Sequence, residues 1–235
     1  MARAKAYHHG DLPPALLDGV AAILRERGLR FVSLREVARR ARVSHSAPAH
    51  HFRNKSGLLT AFAAQGFQRL AETVAAVVAE RRPDNPRDRL AALGCAYVRF
   101  ALANREQFGI MFRPELLDRT DRSFAQAADG AFGLLARTIA DCVAAGYLRR
   151  EDAHTAGIAA WSLVHGLAAL WLGGRLRERV GDVDPNDVAA AVTKLFVGAV
   201  LAGEPSPVRP ARRPPRAESR RDEPPRRQGR RDRKR

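Results

Sequence analysis

Signals that begin and end helices recur along this chain from Asp11 onward. Between them, apolar residues follow helical spacing: in the first segment Leu16, Val20 and Ile23 recur every three or four positions, and Gly28 ends the run. No segment alternates apolar and polar residues convincingly over four or more positions, as a half-buried strand would. The sequence therefore predicts an all-α protein.

Capping patterns give the predicted helices their starts. Ser33 and Glu36 have the spacing of a capping box, in which each side chain satisfies a free amide of the other residue. Asn85 and Asp184 are each followed by proline, which is tolerated in the first helical turn. The first helix is expected between Asp11 and Gly28, and further helices at about 33–41, 44–53, 55–82, from 85 onward, and at 106–112, 121–145, 152–173 and 185–202.

The positive charge is concentrated at the two ends of the chain. Of the net charge of +16, residues 1–55 carry +7, residues 56–203 carry +1 and residues 204–235 carry +8. A basic module on a neutral body is typical of proteins that bind polyanions. We predict a DNA-binding domain at 1–55, a neutral helical body at 56–203, and an Arg/Pro-rich tail at 204–235.

The tail contains too few apolar residues to offset the entropy of ordering, so it is expected to be disordered. It either adds salt-sensitive affinity for DNA or is a passive extension. The N-terminal residues lack the apolar stretch of a signal peptide, and the two cysteines fall within helical patterns, which favours a cytoplasmic location, associated with the nucleoid. The apolar run near residue 165 is about 16 residues long and predicts a buried helix, so no membrane contact is expected.

The first three helices, with a short turn between the second and third, predict a helix-turn-helix unit. In such a unit the third helix enters the major groove while the second crosses the DNA backbone. His45, Ser46 and His50 are then candidates for reading base edges. Val43 would fill the space between the helices, and Phe52 would close the small core.

The histidines of this unit also admit other interpretations. Zinc binding favours histidines four apart on a helix with further ligands nearby, whereas His45, His50 and His51 lack that spacing and have no neighbouring cysteine or carboxylate. Catalysis would need a partnered nucleophile and a pocket. We therefore expect no metal, no cofactor and no catalytic residue. For His51, a structural role and phosphate contact remain equally open.

The segment SLREVARRARVSHSAPAHHFRNKSGLL, at residues 33–59, resembles the DNA-binding domain of the TetR family of transcriptional regulators. The spacing of Trp161, His165 and Gly166 resembles a subgroup with a WHG-type C-terminal domain. The resemblance implies an all-α homodimer that binds a palindromic operator in double-stranded DNA. The helices at 152–173 and 185–202 would form the dimer interface.

The resemblance also implies site residues. Ser33 and Lys55 would hold phosphates, and the recognition helix would contain Ser44, His45, Ser46, Ala49, His50 and His51. Two positions depart from the family pattern. Arg42 replaces the usual glycine of the turn, which would strain a residue with positive φ, and Ala49 replaces a phosphate-binding tyrosine.

A ligand pocket is implied within the neutral body. Its candidate residues are aromatic or polarisable: Phe100, Phe108, Met111, Phe132, Trp161 and His165. The expected function is a ligand-responsive regulator, a repressor released from its operator by a small apolar molecule. The alternative is a nonspecific architectural DNA-binding protein, which the basic tail favours, while a helical enzyme has no supporting motif.

Overall fold

The computed structural model describes residues 12–201 and is helical throughout this part of the chain, with no strand. The predicted all-α class is therefore confirmed. Short 3-10 turns follow α1, α6 and α7. The helices are α1 (Leu12–Arg27), α2 (Leu34–Ala41), α3 (Ala47–Phe52), α4 (Lys55–Arg81), α5 (Pro86–Ala103), α6 (Arg105–Met111), α7 (Arg122–Ala144), α8 (Ala153–Leu172), α9 (Arg177–Val180) and α10 (Pro185–Val200).

Side-chain caps are observed at five of these helix starts, including the three that the sequence predicts at Ser33, Asn85 and Asp184. Asn85 accepts a hydrogen bond from the Asp88 amide at 3.0 Å, and Asp184 accepts one from the Asn186 amide at 2.8 Å. The predicted capping box at α2 forms only in part. Ser33 Oγ accepts from the backbone amide of Glu36, but the Glu36 carboxylate binds arginines instead of the Ser33 amide.

α1, α2 and α3 pack together and against the start of α4, which builds the predicted helix-turn-helix unit. Val20, Val37 and Phe52 are buried in its core, whereas Val43 is only half-buried. α3 begins at Ala47, three residues later than predicted, because Ser44 to Ser46 form a turn. Pro48 therefore lies in the first turn of α3, where its missing amide costs no helical hydrogen bond.

α4 connects this unit to the body. Its first turn touches α3, and farther along it packs against α5, α6 and α7. Glycine allows close contact between helices at two places. If Gly66 of α4 had a Cβ atom, it would lie only 2.7 Å from Met111 Sδ of α6, and a Cβ atom on Gly94 of α5 would lie 2.6 Å from Thr193 Cγ2 of α10. α5 is the centre of the body, because it also packs against α8 and α10.

α8 and α10 leave apolar side chains uncovered. Ile158 is 50% exposed and Leu195 is 75% exposed, although both lie on helices whose other sides are buried in the body. The sequence predicted an apolar run too short to cross a membrane. In the structure, residues 150–172 form a helical segment of 23 residues, which by length and composition alone is long and apolar enough to do so. Core helices pass the same test, and α8 packs against α5, α7 and α10.

Candidate functional site

One face of α3 and of the turn before it projects away from the protein. We call this the α3 surface. Pro48 and Phe52 face inward and are buried. The Oγ atoms of Ser44 and Ser46 lie 3.2 Å apart, so the two hydroxyls are presented together. The exposed residues are Ser44, His45, Ser46, Ala49, His50 and His51.

Ser33 and Lys55 lie at helix starts on either side of the same unit, and both are exposed. Lys55 Nζ donates to the Leu29 carbonyl oxygen at 3.1 Å, which holds the ammonium group beside the turn that follows α1. Free amides at helix starts favour phosphate. Gly57, which the sequence did not single out, is required here, since a Cβ would lie 2.1 Å from the Phe52 carbonyl oxygen.

Two arginines adjoining the α3 surface were not predicted as site residues. Arg42 lies two residues before Ser44 and Arg53 two residues after His51, and both are exposed. The salt bridges within residues 12–201 engage Arg39 with Glu36, and Arg40 with Glu26, but neither of these two. Their charges therefore stand beside the exposed histidines and serines. The signal in the sequence was simply a basic residue at each end of the recognition segment.

The body contains an apolar cavity of about 70 Å³ bounded by α4, α5, α7, α8 and α10. Among the residues predicted from the sequence, Phe132 and Trp161 line it. Phe100, Phe108, Met111 and His165 do not. The other walls include Leu70 and Val74 of α4, Gly94 and Tyr97 of α5, Ala160 of α8 and Thr193 of α10.

His165 lies beside this cavity in a cluster of aromatic rings. Its centroid is 4.6 Å from that of Phe112 and 5.2 Å from that of Phe108. Its Nδ1 is 2.8 Å from the Tyr97 hydroxyl. Burial lowers the pKa of His165, which favours the neutral imidazole. Phe100, which the sequence predicted for the pocket, is buried in the core of the body.

Trp161 has a polar atom that the fold does not satisfy. Its Nε1 is buried and has no hydrogen-bond partner. Burial raises the pKa of the nearby Tyr97 hydroxyl, and the proximity of the Trp161 side chain, the smaller effect, lowers it. The Tyr97 hydroxyl nevertheless makes its hydrogen bond with His165. An unused buried donor thus belongs to a residue of the cavity wall.

Neither the cysteines nor the histidines of the described residues form a reactive or metal-binding centre. Cys142 is buried, and burial raises the pKa of its thiol to about 11, so it is a poor nucleophile at neutral pH. Cys95 Sγ is 3.4 Å from Thr193 Oγ1. No group of three or more His, Cys, Asp or Glu side chains within residues 12–201 is placed to hold a metal ion.

Comparison with known families accounts for this arrangement. The sequence model described as "Bacterial regulatory proteins, tetR family" matches residues 16–62, and that described as "Tetracyclin repressor-like, C-terminal domain" matches residues 90–196. Together the matches cover more than half of the chain. This protein belongs to the TetR family.

Relatives of this TetR-family protein agree at the level of fold. A Rhodococcus sp. RHA1 protein of unknown function is 34% identical, with a TM-score of 0.72 over 84% of this chain and 100% of that one. The TetR-family regulator PfmR from Thermus thermophilus is 21% identical, with a TM-score of 0.61 over 77% of this chain and 96% of its own.

Curated relatives resemble a smaller part of the chain. The HTH-type transcriptional regulator BetI of Yersinia pestis is 35% identical over 78 residues, which are 33% of this chain. The match spans 39% of the length of BetI. The likeness to BetI therefore concerns about a third of this chain and less than half of BetI.

Proposed function

We propose that this protein is a homodimeric, sequence-specific DNA-binding regulator in the cytoplasm, located at the nucleoid, and that it represses transcription from a palindromic operator until a small molecule releases it. The observation that carries the proposal is the α3 surface. Its six exposed residues lie on α3 and on the turn before it, and the opposite face of α3 is anchored by Pro48 and Phe52. The similarity of Trp161, His165 and Gly166 to the WHG subgroup remains a prediction.

On DNA, α3 enters the major groove, where some side chains contact bases and others contact the DNA backbone. His45, Ser46 and His50 contact base edges, since imidazole and hydroxyl groups both donate and accept hydrogen bonds. Ser33 and Lys55 contact phosphates on either side and fix the register. The remaining residues of the α3 surface, Ser44, Ala49 and His51, lie against the groove wall.

A second copy of the chain covers the exposed apolar faces of α8 and α10. Large apolar side chains left exposed on two helices that pack against each other favour an interaction site there. Ile158 and Leu195 would be buried between copies. The resulting twofold symmetry places two α3 surfaces on half-sites about 34 Å apart, or a multiple of that spacing, which is why the operator is expected to be palindromic.

The cavity is connected to the α3 surface through one helix. α4 begins at Lys55 beside α3 and contributes Leu70 and Val74 to the cavity wall, about 22 Å and about 28 Å farther along the helix. A ligand that widens the cavity displaces α4, and with it the position of α3 relative to the other half-site. Ligand and DNA then favour different arrangements of the dimer, which is the thermodynamic requirement for release.

The test is selection of bound duplexes from a random pool, followed by DNA titrations at two salt concentrations. We expect an enriched palindrome, lost or altered in the double variant His45→Ala/His50→Ala. His154→Ala is the matched control, because His154 is an exposed histidine on α8, away from the α3 surface. If no sequence is enriched and binding vanishes at high salt, the protein is a nonspecific architectural DNA-binding protein instead.

A further inference from the structure

We propose that the cavity binds a neutral, mostly apolar molecule with a single hydrogen-bond acceptor, such as a ketone, ester or lactone, and that Trp161 Nε1 donates to this acceptor. The inference rests on the proposed ligand response and names its chemistry. It makes Trp161 the residue that determines specificity. It follows from three properties of the cavity: its charge, its free polar groups and its size.

The wall of the cavity excludes charge. It is built from aliphatic and aromatic side chains with one threonine, and none of its residues is an Asp, Glu, Lys or Arg. A carboxylate or an ammonium group would lose its hydration without gaining an opposite charge, which is strongly unfavourable. The cavity therefore selects neutral molecules over fatty acids and amines of the same shape.

The unpaired polar group of a wall residue is a donor. Thr193 Oγ1 donates to the Ala189 carbonyl oxygen at 2.7 Å, so its proton is already used. The Tyr97 hydroxyl is paired with His165 Nδ1. Only the Trp161 Nε1 remains buried without a partner in the described part of the chain. An indole N–H donates and cannot accept, so the matching ligand group is an acceptor.

The size of the cavity limits the ligand. About 70 Å³ is well below the roughly 300–1,000 Å³ of ordinary ligand pockets. One wall is fixed, because Gly94 and Thr193 hold α5 and α10 in close contact. Phe132 is 37% exposed and also lines the cavity, so it stands between the cavity and solvent. We expect a slender chain to enter with an outward rotation of Phe132, and a fused ring system to be excluded.

A pair of molecules of equal shape tests this inference on the full-length protein without DNA. Methyl hexyl ketone offers one acceptor, and the alkene in which a methylene group replaces its oxygen offers none. The chain has two tryptophans, so proton–nitrogen NMR spectra contain two indole signals, which the Trp171→Phe variant assigns. We expect the ketone to shift the Trp161 signal and to bind at least about fivefold more tightly than the alkene. Octanoate should bind more weakly than the ketone.

Two variants separate the hydrogen bond from the packing. Trp161→Phe keeps an aromatic ring but removes the donor, so the preference for ketone over alkene should disappear. Trp171→Phe is the same substitution outside the cavity wall and should preserve that preference. Ala160→Leu fills the cavity and should abolish binding of both molecules.

The inference is overturned if the alkene binds the unaltered protein as tightly as the ketone, if the Trp161 signal does not move, or if neither molecule binds. Operator selection is measured separately, so these outcomes leave the DNA-binding proposal intact. Conversely, if the ketone binds through Trp161 but leaves DNA affinity unchanged, the ligand chemistry stands and the proposed release mechanism fails.

Discussion

Arg42 is, with Arg53 and Arg82, one of the non-glycine residues within 12–201 that have a positive φ. It ends α2 with φ of 57° and ψ of 40°, in the left-handed region. The Val43 amide donates to the Ala38 carbonyl and the Arg42 amide to the Arg39 carbonyl, which is the hydrogen-bond pattern of a Schellman motif. α7 ends in the same pattern, but there the left-handed position is Gly146, with φ of 79°.

Replacing Arg42 with glycine should therefore stabilise the protein. A side chain in the left-handed region costs about 1–2 kcal/mol, which glycine avoids. Glycine in turn lowers stability by about 0.5–1 kcal/mol, because it gives the unfolded chain more freedom. The net gain is about 0.5–1 kcal/mol, which raises the Tm of a chain of this size by about 1–4 °C.

The measurement is calorimetry together with urea denaturation of Arg42→Gly, with two controls. Arg42→Ala removes the same charge but keeps the Cβ atom, so it should show no comparable gain. Gly146→Arg makes the reverse change at the end of α7 and should lower the Tm. The reasoning is refuted if Arg42→Gly melts no higher than Arg42→Ala.

The other predictions concern the cap of α2, the dimer and the buried histidine. Ser33→Ala should lower the free energy of unfolding by about 1 kcal/mol, because it removes the helix cap. Ser33→Asp should keep the cap but weaken DNA binding, because its carboxylate repels phosphate. Equal DNA affinity in the two variants would argue against a phosphate contact. Leu195→Glu should be monomeric in analytical ultracentrifugation. The control Gln68→Glu adds the same charge at an exposed position of α4 and should remain dimeric. If Leu195→Glu is still dimeric, the interface lies elsewhere. Burial lowers the pKa of His165 in the folded state, so the unfolded chain gains a proton first and stability falls as the pH drops below about 6.5. His165→Asn, with an acceptor retained for Tyr97, should show a shallower loss in urea titrations between about pH 7.5 and pH 5.5, and an identical slope would contradict this.

Much of the fold follows from the sequence because helix ends depend on local interactions. Ser33, Asn85, Asp121 and Asp184 cap helices through hydrogen bonds to amides two or three residues away, and such pairs are visible in the sequence. The left-handed conformation expected at Arg42 is also present. The predicted start of α3 was wrong by three residues, because Ser44 to Ser46 form a turn and the helix begins only at Ala47.

The cavity, in contrast, is decided by tertiary structure. Helical periodicity predicts that Phe100, Phe132 and Trp161 each lie on an apolar face, but it does not predict which helix each face meets. The packing of five helices from distant parts of the chain brings Phe132 and Trp161 to one cavity and places Phe100 in solid core. The unpartnered Trp161 Nε1 is likewise a property of that packing, since its surroundings come from residues far away in sequence. Local hydrogen bonds are determined within a few residues, whereas a cavity is the space left when all the helices have packed.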